Sequence, residues 1–167
     1  VVITYCPLCG TGIAYERTIN NELVEFGVSG LLYNSDLVMY DRKTDTLWDQ
    51  VTGRAIVGEL TGMRLKQVPI DTVTWADWKK LHPATKVLSR ETGFIRSYGR
   101  TPYGDYDTSR SIYFPVENED LSLHPKEVIF GVEVNGKVKA YTEEDLKKLG
   151  KIEDKFNGVN LIIERSD

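Results

Sequence analysis

The chain is poor in the side chains that usually carry metal and acid–base chemistry: among its 167 residues are two cysteines, two histidines and two methionines. Two cysteines exclude a zinc ribbon, which needs a second pair. Two histidines with no recognisable partner order leave a serine hydrolase without support, and Gly27-Val28-Ser29-Gly30 lacks both the spacing and the strand-to-helix setting of a nucleophile elbow. Basic residues are not in excess: the net charge is -4, the pI is near 5.3, and the lysines and arginines are scattered. A nucleic-acid partner is therefore set aside, and no nucleotide cofactor is expected. No apolar run approaches the roughly 18 residues of a membrane span, so none is expected in this chain, and it shows no basic-plus-apolar leader. Val1-Val2-Ile3-Thr4-Tyr5, β-branched and without an initiator Met, reads as the start of a processed or excised fragment. Glutamine and asparagine are also scarce, two and seven residues, which points to a heat-adapted source.

What is present is ample for a core. With 41% apolar and 28% charged residues, the chain is expected to form a single compact domain over 1–167. The expected class is α+β, mostly antiparallel β with hairpins and two short helices. Ile13 to Arg17 and Leu23 to Val28 flank Asn20-Asn21 as one hairpin. Leu37 to Tyr40 and Leu47-Trp48 flank the polar turn Arg42 to Thr46 as another. Thr74 is an N-cap with Asp77 three residues on, Trp75, Trp78 and Leu81 share a helical face, and Pro83 ends the helix. Val128 to Val134 and Lys137 to Tyr141 flank Asn135-Gly136. Thr142 caps a helix with acidic first and basic last turns that Gly150 stops, and Asn157-Gly158 leads into a final strand, Val159 to Glu164.

Between the helices, Ser97 to Tyr113 interleaves tyrosines with glycines and arginines and reads as a long ordered loop. Two roles stay open for it. Its aromatics pin it to the body, or Tyr98, Arg100, Tyr103, Tyr106 and Arg110 form a surface for a ligand, a protein partner or self-association.

The two cysteines stand together in Cys6-Pro7-Leu8-Cys9-Gly10, and three chemistries compete for them. As thiolates facing one point they hold a soft ion, with His124 and Met39 as further ligands; that mixture suits copper better than zinc. His82, before Pro83, serves the end of a helix instead. As a redox pair they cycle between dithiol and disulfide, although the turn-and-strand setting differs from the strand-to-helix junction of thioredoxin-like proteins. As a plain structural disulfide they close the end of a strand, with small stabilisation from so short a loop. The sequence leaves open whether the protein is an enzyme.

Thr4-Tyr5-Cys6-Pro7-Leu8-Cys9-Gly10, the run from Phe26 to Arg42, Leu47-Trp48, Thr74-Trp75, His82-Pro83, Pro102-Tyr103 and Pro125-Lys126-Glu127 together resemble the domain-of-unknown-function 3179 family, in order and over nearly the whole chain. The resemblance implies an exported or membrane-anchored prokaryotic protein, hence an extracytoplasmic one. It also implies that a module of strand, turn, strand, Ala-Tyr-Pro and helix, with its own His, precedes the Cys-Pro-Leu-Cys strand. That module is missing here, yet 128–164 follows the same plan, with Ala140-Tyr141 and Asn157-Gly158 in the matching places. A tandem duplication is expected, in which Val1 to Tyr5 ends the first copy as the strand before Arg165 to Asp167 ends the second.

Overall fold

Hairpins closed by asparagine account for much of the chain, as seen in a computed structural model that describes residues 1–164. The chain divides into two compact units, 1–107 with 111–119, and 108–110 with the residues from Asp120 onward. Arg165 to Asp167 lie outside the described residues.

In the first unit, β1 (Val2–Cys6) and β2 (Thr11–Tyr15) form an antiparallel hairpin whose last pair is Cys6 with Thr11. A small hairpin follows, β3 (Thr18–Ile19) and β4 (Glu22–Leu23). Its turn is the expected Asn20-Asn21, but each strand has two residues, and the residues expected to extend the second one belong elsewhere. Phe26 to Val28 open β5 (Phe26–Tyr33), which heads a four-stranded meander with β6 (Asp36–Asp41), β7 (Leu47–Asp49) and β8 (Ala55–Val57). β9 (Gln67–Val68) then pairs with β2 to complete a sheet in the order β1, β2, β9. The core of this unit is Ile13, Tyr15, Ile19, Val24, Met39, Trp48, Ala55 and Leu65, with Val2, Phe26 and Leu60 against it.

One carboxylate lies inside this core for a structural reason. Asp41 is fully buried and accepts hydrogen bonds from Trp48 Nε1 (3.0 Å), from the Thr44 N–H (2.7 Å) and from the Lys43 N–H (3.1 Å). Burial opposes its charge, but these donors outweigh burial and hold it below the usual carboxylate range. Asp41 thereby closes the expected β6–β7 turn.

α1 (Trp75–Leu81) forms where the sequence places it, with Thr74 accepting from the Asp77 N–H. None of its residues is buried, so the face of Trp75, Trp78 and Leu81 meets no core. No strand or helix forms between α1 and Val128, which includes the expected loop.

The second unit is a hairpin of β10 (Ile129–Val134) and β11 (Lys137–Thr142), then α2 (Glu143–Leu149), then a hairpin of β12 (Lys151–Phe156) and β13 (Val159–Glu164). Tyr141 Oη donates to Asp154 Oδ2 (2.6 Å), and Lys139 Nζ donates to the same oxygen (2.5 Å), which ties the two hairpins together. β12 is absent from the sequence reading because Lys151-Ile152-Glu153-Asp154-Lys155 is mostly charged. In the structure it alternates exposed and half-buried, as a strand with one packed face does. The molecule is thus rich in antiparallel β structure with two short helices, as expected in outline.

Candidate metal centre

Cys6 is carried into the interior at the end of β1, where the alternation along Val2, Thr4 and Cys6 faces the core. Pro7 to Gly10 reverse the chain, and Gly10 adopts a left-handed φ of 67° before β2 begins. A side chain there would meet nothing within 4 Å, so the need for glycine is conformational rather than steric. This tight reversal brings Cys9 back toward Cys6 while leaving Cys9 exposed. Both cysteines are free.

The third participant comes from a hairpin absent from the sequence reading. Asn34 (φ 49°) and Ser35 (φ 62°) form a two-residue turn between Tyr33 and Asp36, which are register partners. Positive φ at both positions is the mark of the turn that best fits strand twist. Asp36 therefore starts β6 at a set position, and the Cys9 thiol donates to its Oδ1 at 3.1 Å. The ligand atoms of Cys6, Cys9 and Asp36 lie within 4.8 Å of one another. No other such group of three is found among the described residues.

The electrostatics of the trio follow from burial and from where its protons sit. Cys6 is brought down to about 5, first by the Cys9 thiol hydrogen-bonded to it; burial opposes this, and the backbone N–H groups of Cys9, Leu8 and Leu37 add to it. Cys9 is pushed up, chiefly because its proton is shared with the Cys6 sulfur, and further by burial and by Asp36. Asp36 is pushed up to about 6 by burial, with the Cys9 hydrogen bond pulling the other way. Its Oδ2 is buried without a hydrogen-bond partner. An unpaired buried carboxylate oxygen is destabilising unless something cationic meets it.

The base of the centre is fixed by Gln50, also fully buried. Its Nε2 donates to Thr4 Oγ1 (3.0 Å) and to the Thr11 carbonyl (3.1 Å), and its N–H donates to the Leu37 carbonyl (3.2 Å). One residue, through its side chain and its backbone N–H, thus joins both strands of the cysteine hairpin to the strand that carries Asp36. Such outer partners hold ligands in orientation.

The other expected site residues each have surroundings of their own. Met39 is packed in the core with Trp48 and Tyr15. His124 belongs to the second unit, where its Nδ1 accepts the Lys126 N–H at 3.2 Å and its carbonyl accepts from Glu127. His82 closes α1 and stacks on Trp78 with ring centroids 4.0 Å apart. In the tyrosine-rich stretch, Tyr106 is buried and stacked on Tyr113 at 4.0 Å, Tyr103 is half-buried and accepts from the Tyr113 hydroxyl, and Tyr98 bonds Thr92. Arg100 and Arg110 are exposed. Asp36 is the site residue that sequence reasoning missed. The signal that could have found it is the Asn34-Ser35 turn.

Compared with known proteins, the chain matches one family model, described as Protein of unknown function (DUF3179), over residues 1–167. No curated protein and no solved structure matches it.

Proposed function

We propose that this chain, which belongs to the DUF3179 family and takes no assigned activity from it, is a metal-binding protein whose centre is Cys6, Cys9 and Asp36. The observation that carries this is the convergence of two sulfurs and a carboxylate within 4.8 Å, one carboxylate oxygen being buried and unpartnered. The lowered proton affinity of Cys6 supports the same reading, because a metal needs a thiolate.

The donor set also bears on the metal. The sequence favours copper because it offers Met39 and His124 as partners. With a carboxylate as third donor, two thiolates and an oxygen suit zinc better, since zinc accepts all three at tetrahedral distances. Three protein donors leave a fourth position for water or an added ligand, which is the composition of a reactive site rather than a closed one. Thiol–disulfide exchange is served less well. It needs an exposed thiolate, and here the thiol held low is buried while the exposed one is pushed up. An extracytoplasmic home is proposed on the family resemblance alone.

The test is metal analysis with thiol titration on protein purified without chelator or reductant, then loaded with zinc. About one zinc per chain is expected, and Cys6→Ser, Cys9→Ser and Asp36→Ala should each lose stoichiometric binding. Wild-type protein that takes up no zinc, copper or other transition ion, and melts unchanged in their presence, overturns the reading.

A further inference from the structure

We infer that Cys9 is a peroxide-sensitive modification site whose oxidation expels the metal, with Cys9 as the sulfur attacked and Cys6 as the sulfur that resolves it into a disulfide. This rests on the metal reading above and adds a chemical fate for the same centre.

The two sulfurs are close but unlike in access. Cys6 is 1% exposed, whereas Cys9 sits on the outer side of the Pro7 to Gly10 reversal. A small oxidant arriving from solvent therefore meets Cys9 first. Coordination leaves it as a thiolate, the reactive form. Cys6 stands within 4.8 Å of it, held at the end of β1 by its pairing with Thr11.

With hydrogen peroxide as oxidant, the steps balance. The Cys9 thiolate attacks one peroxide oxygen, the O–O bond breaks, and the departing hydroxide takes a proton and leaves as water. Cys9 is then a sulfenic acid. The Cys6 thiolate attacks Cys9 Sγ, the S–O bond breaks as the S–S bond forms, and the oxygen leaves as a second water with a second proton from solvent. The thiolates have lost two electrons and the peroxide has gained them. A site with four sulfurs would keep two ligands after such a step, but this one keeps a single carboxylate. Release is therefore complete.

The experiment uses the full chain loaded with zinc, treated with hydrogen peroxide alongside a chromogenic zinc chelator and dimedone, a dione that traps sulfenic acids, with mass analysis of the products. Zinc should appear in step with the loss of two thiols and two hydrogens per chain, the dione adduct should fall on Cys9, and a thiol reductant should restore zinc binding. In Cys6→Ser, which holds no stoichiometric zinc, Cys9 should react more slowly, and the sulfenic acid that forms should persist and gain further oxygen. A dione adduct on Cys6, zinc retained after both thiols are lost, or wild-type Cys9 accumulating oxygens without a disulfide each overturns the inference. A chain that never loads zinc sinks the metal reading and the release with it, while the adduct position and the disulfide still decide the roles of the two sulfurs.

Discussion

Asp36 is where the structure accepts a local penalty. Its folded value near 6 lies above the ordinary 3.8, so ionisation is disfavoured in the fold relative to the unfolded chain. The penalty is absent below pH 3.8, grows as the pH rises toward 6 and is constant above that, with an upper bound of about 3 kcal/mol. Removing the charge should reverse this trend. The stability of metal-free Asp36→Asn relative to wild type should improve from pH 4 to about pH 6 and level off above it in denaturant titrations, while its zinc affinity falls; a difference that does not change with pH would show that burial of this carboxylate is not what shifts it. Cys9 gives a second consequence at this scale. At pH 7 Cys6 and Asp36 are mostly ionised and Cys9 is not, so zinc uptake should release about one proton per ion. Calorimetry in two buffers of different ionisation enthalpy measures that number.

Two turns place the trio, and each can be tested as an element. Ser35 holds a φ of 62° in the turn that presents Asp36, a conformation that glycine adopts without strain. Ser35→Gly should therefore stabilise the protein by roughly 0.5–1 kcal/mol without changing zinc stoichiometry. A loss of stability would mean that the serine side chain matters more than its backbone. In the cysteine hairpin the opposite change applies. Gly10→Val places a β-branched residue at a φ of 67°, which costs on the order of 1–2 kcal/mol and should weaken zinc binding by distorting the reversal between the thiols. Isothermal titration beside a melting curve separates the two effects.

Across the whole molecule, binding at three residues from two hairpins couples metal to fold. Zinc free at about a hundred times its dissociation constant should stabilise the native state by about 2.7 kcal/mol, and chelation should reverse it. The slowed amides in hydrogen exchange should include those of Leu8 and Cys9 in the cysteine reversal and of Leu37, next to Asp36. Uniform melting with and without zinc, and no change at these amides, would place any bound ion elsewhere.

Much of the architecture was legible locally. Asn20-Asn21, Asn135-Gly136 and Asn157-Gly158 turn where the sequence says, because asparagine and glycine tolerate the left-handed backbone that tight hairpins require. Thr74 and Thr142 cap their helices because a hydroxyl satisfies an orphan N–H three residues on. The cysteine pair was legible for the same reason, its spacing and Gly10 being properties of five consecutive residues. Asp36 was not. It lies 27 residues from Cys9, and the bond between them depends on two hairpins that Gln50 joins. Met39 and His124 offer ligand chemistry by type alone, and what surrounds them, core side chains for the thioether and the Lys126 N–H for the imidazole, comes only with the folded chain. Side-chain type and backbone preference act over a few residues and can be read along the chain, whereas the third donor and the burial that shifts its proton arise only when distant strands pack and exclude water.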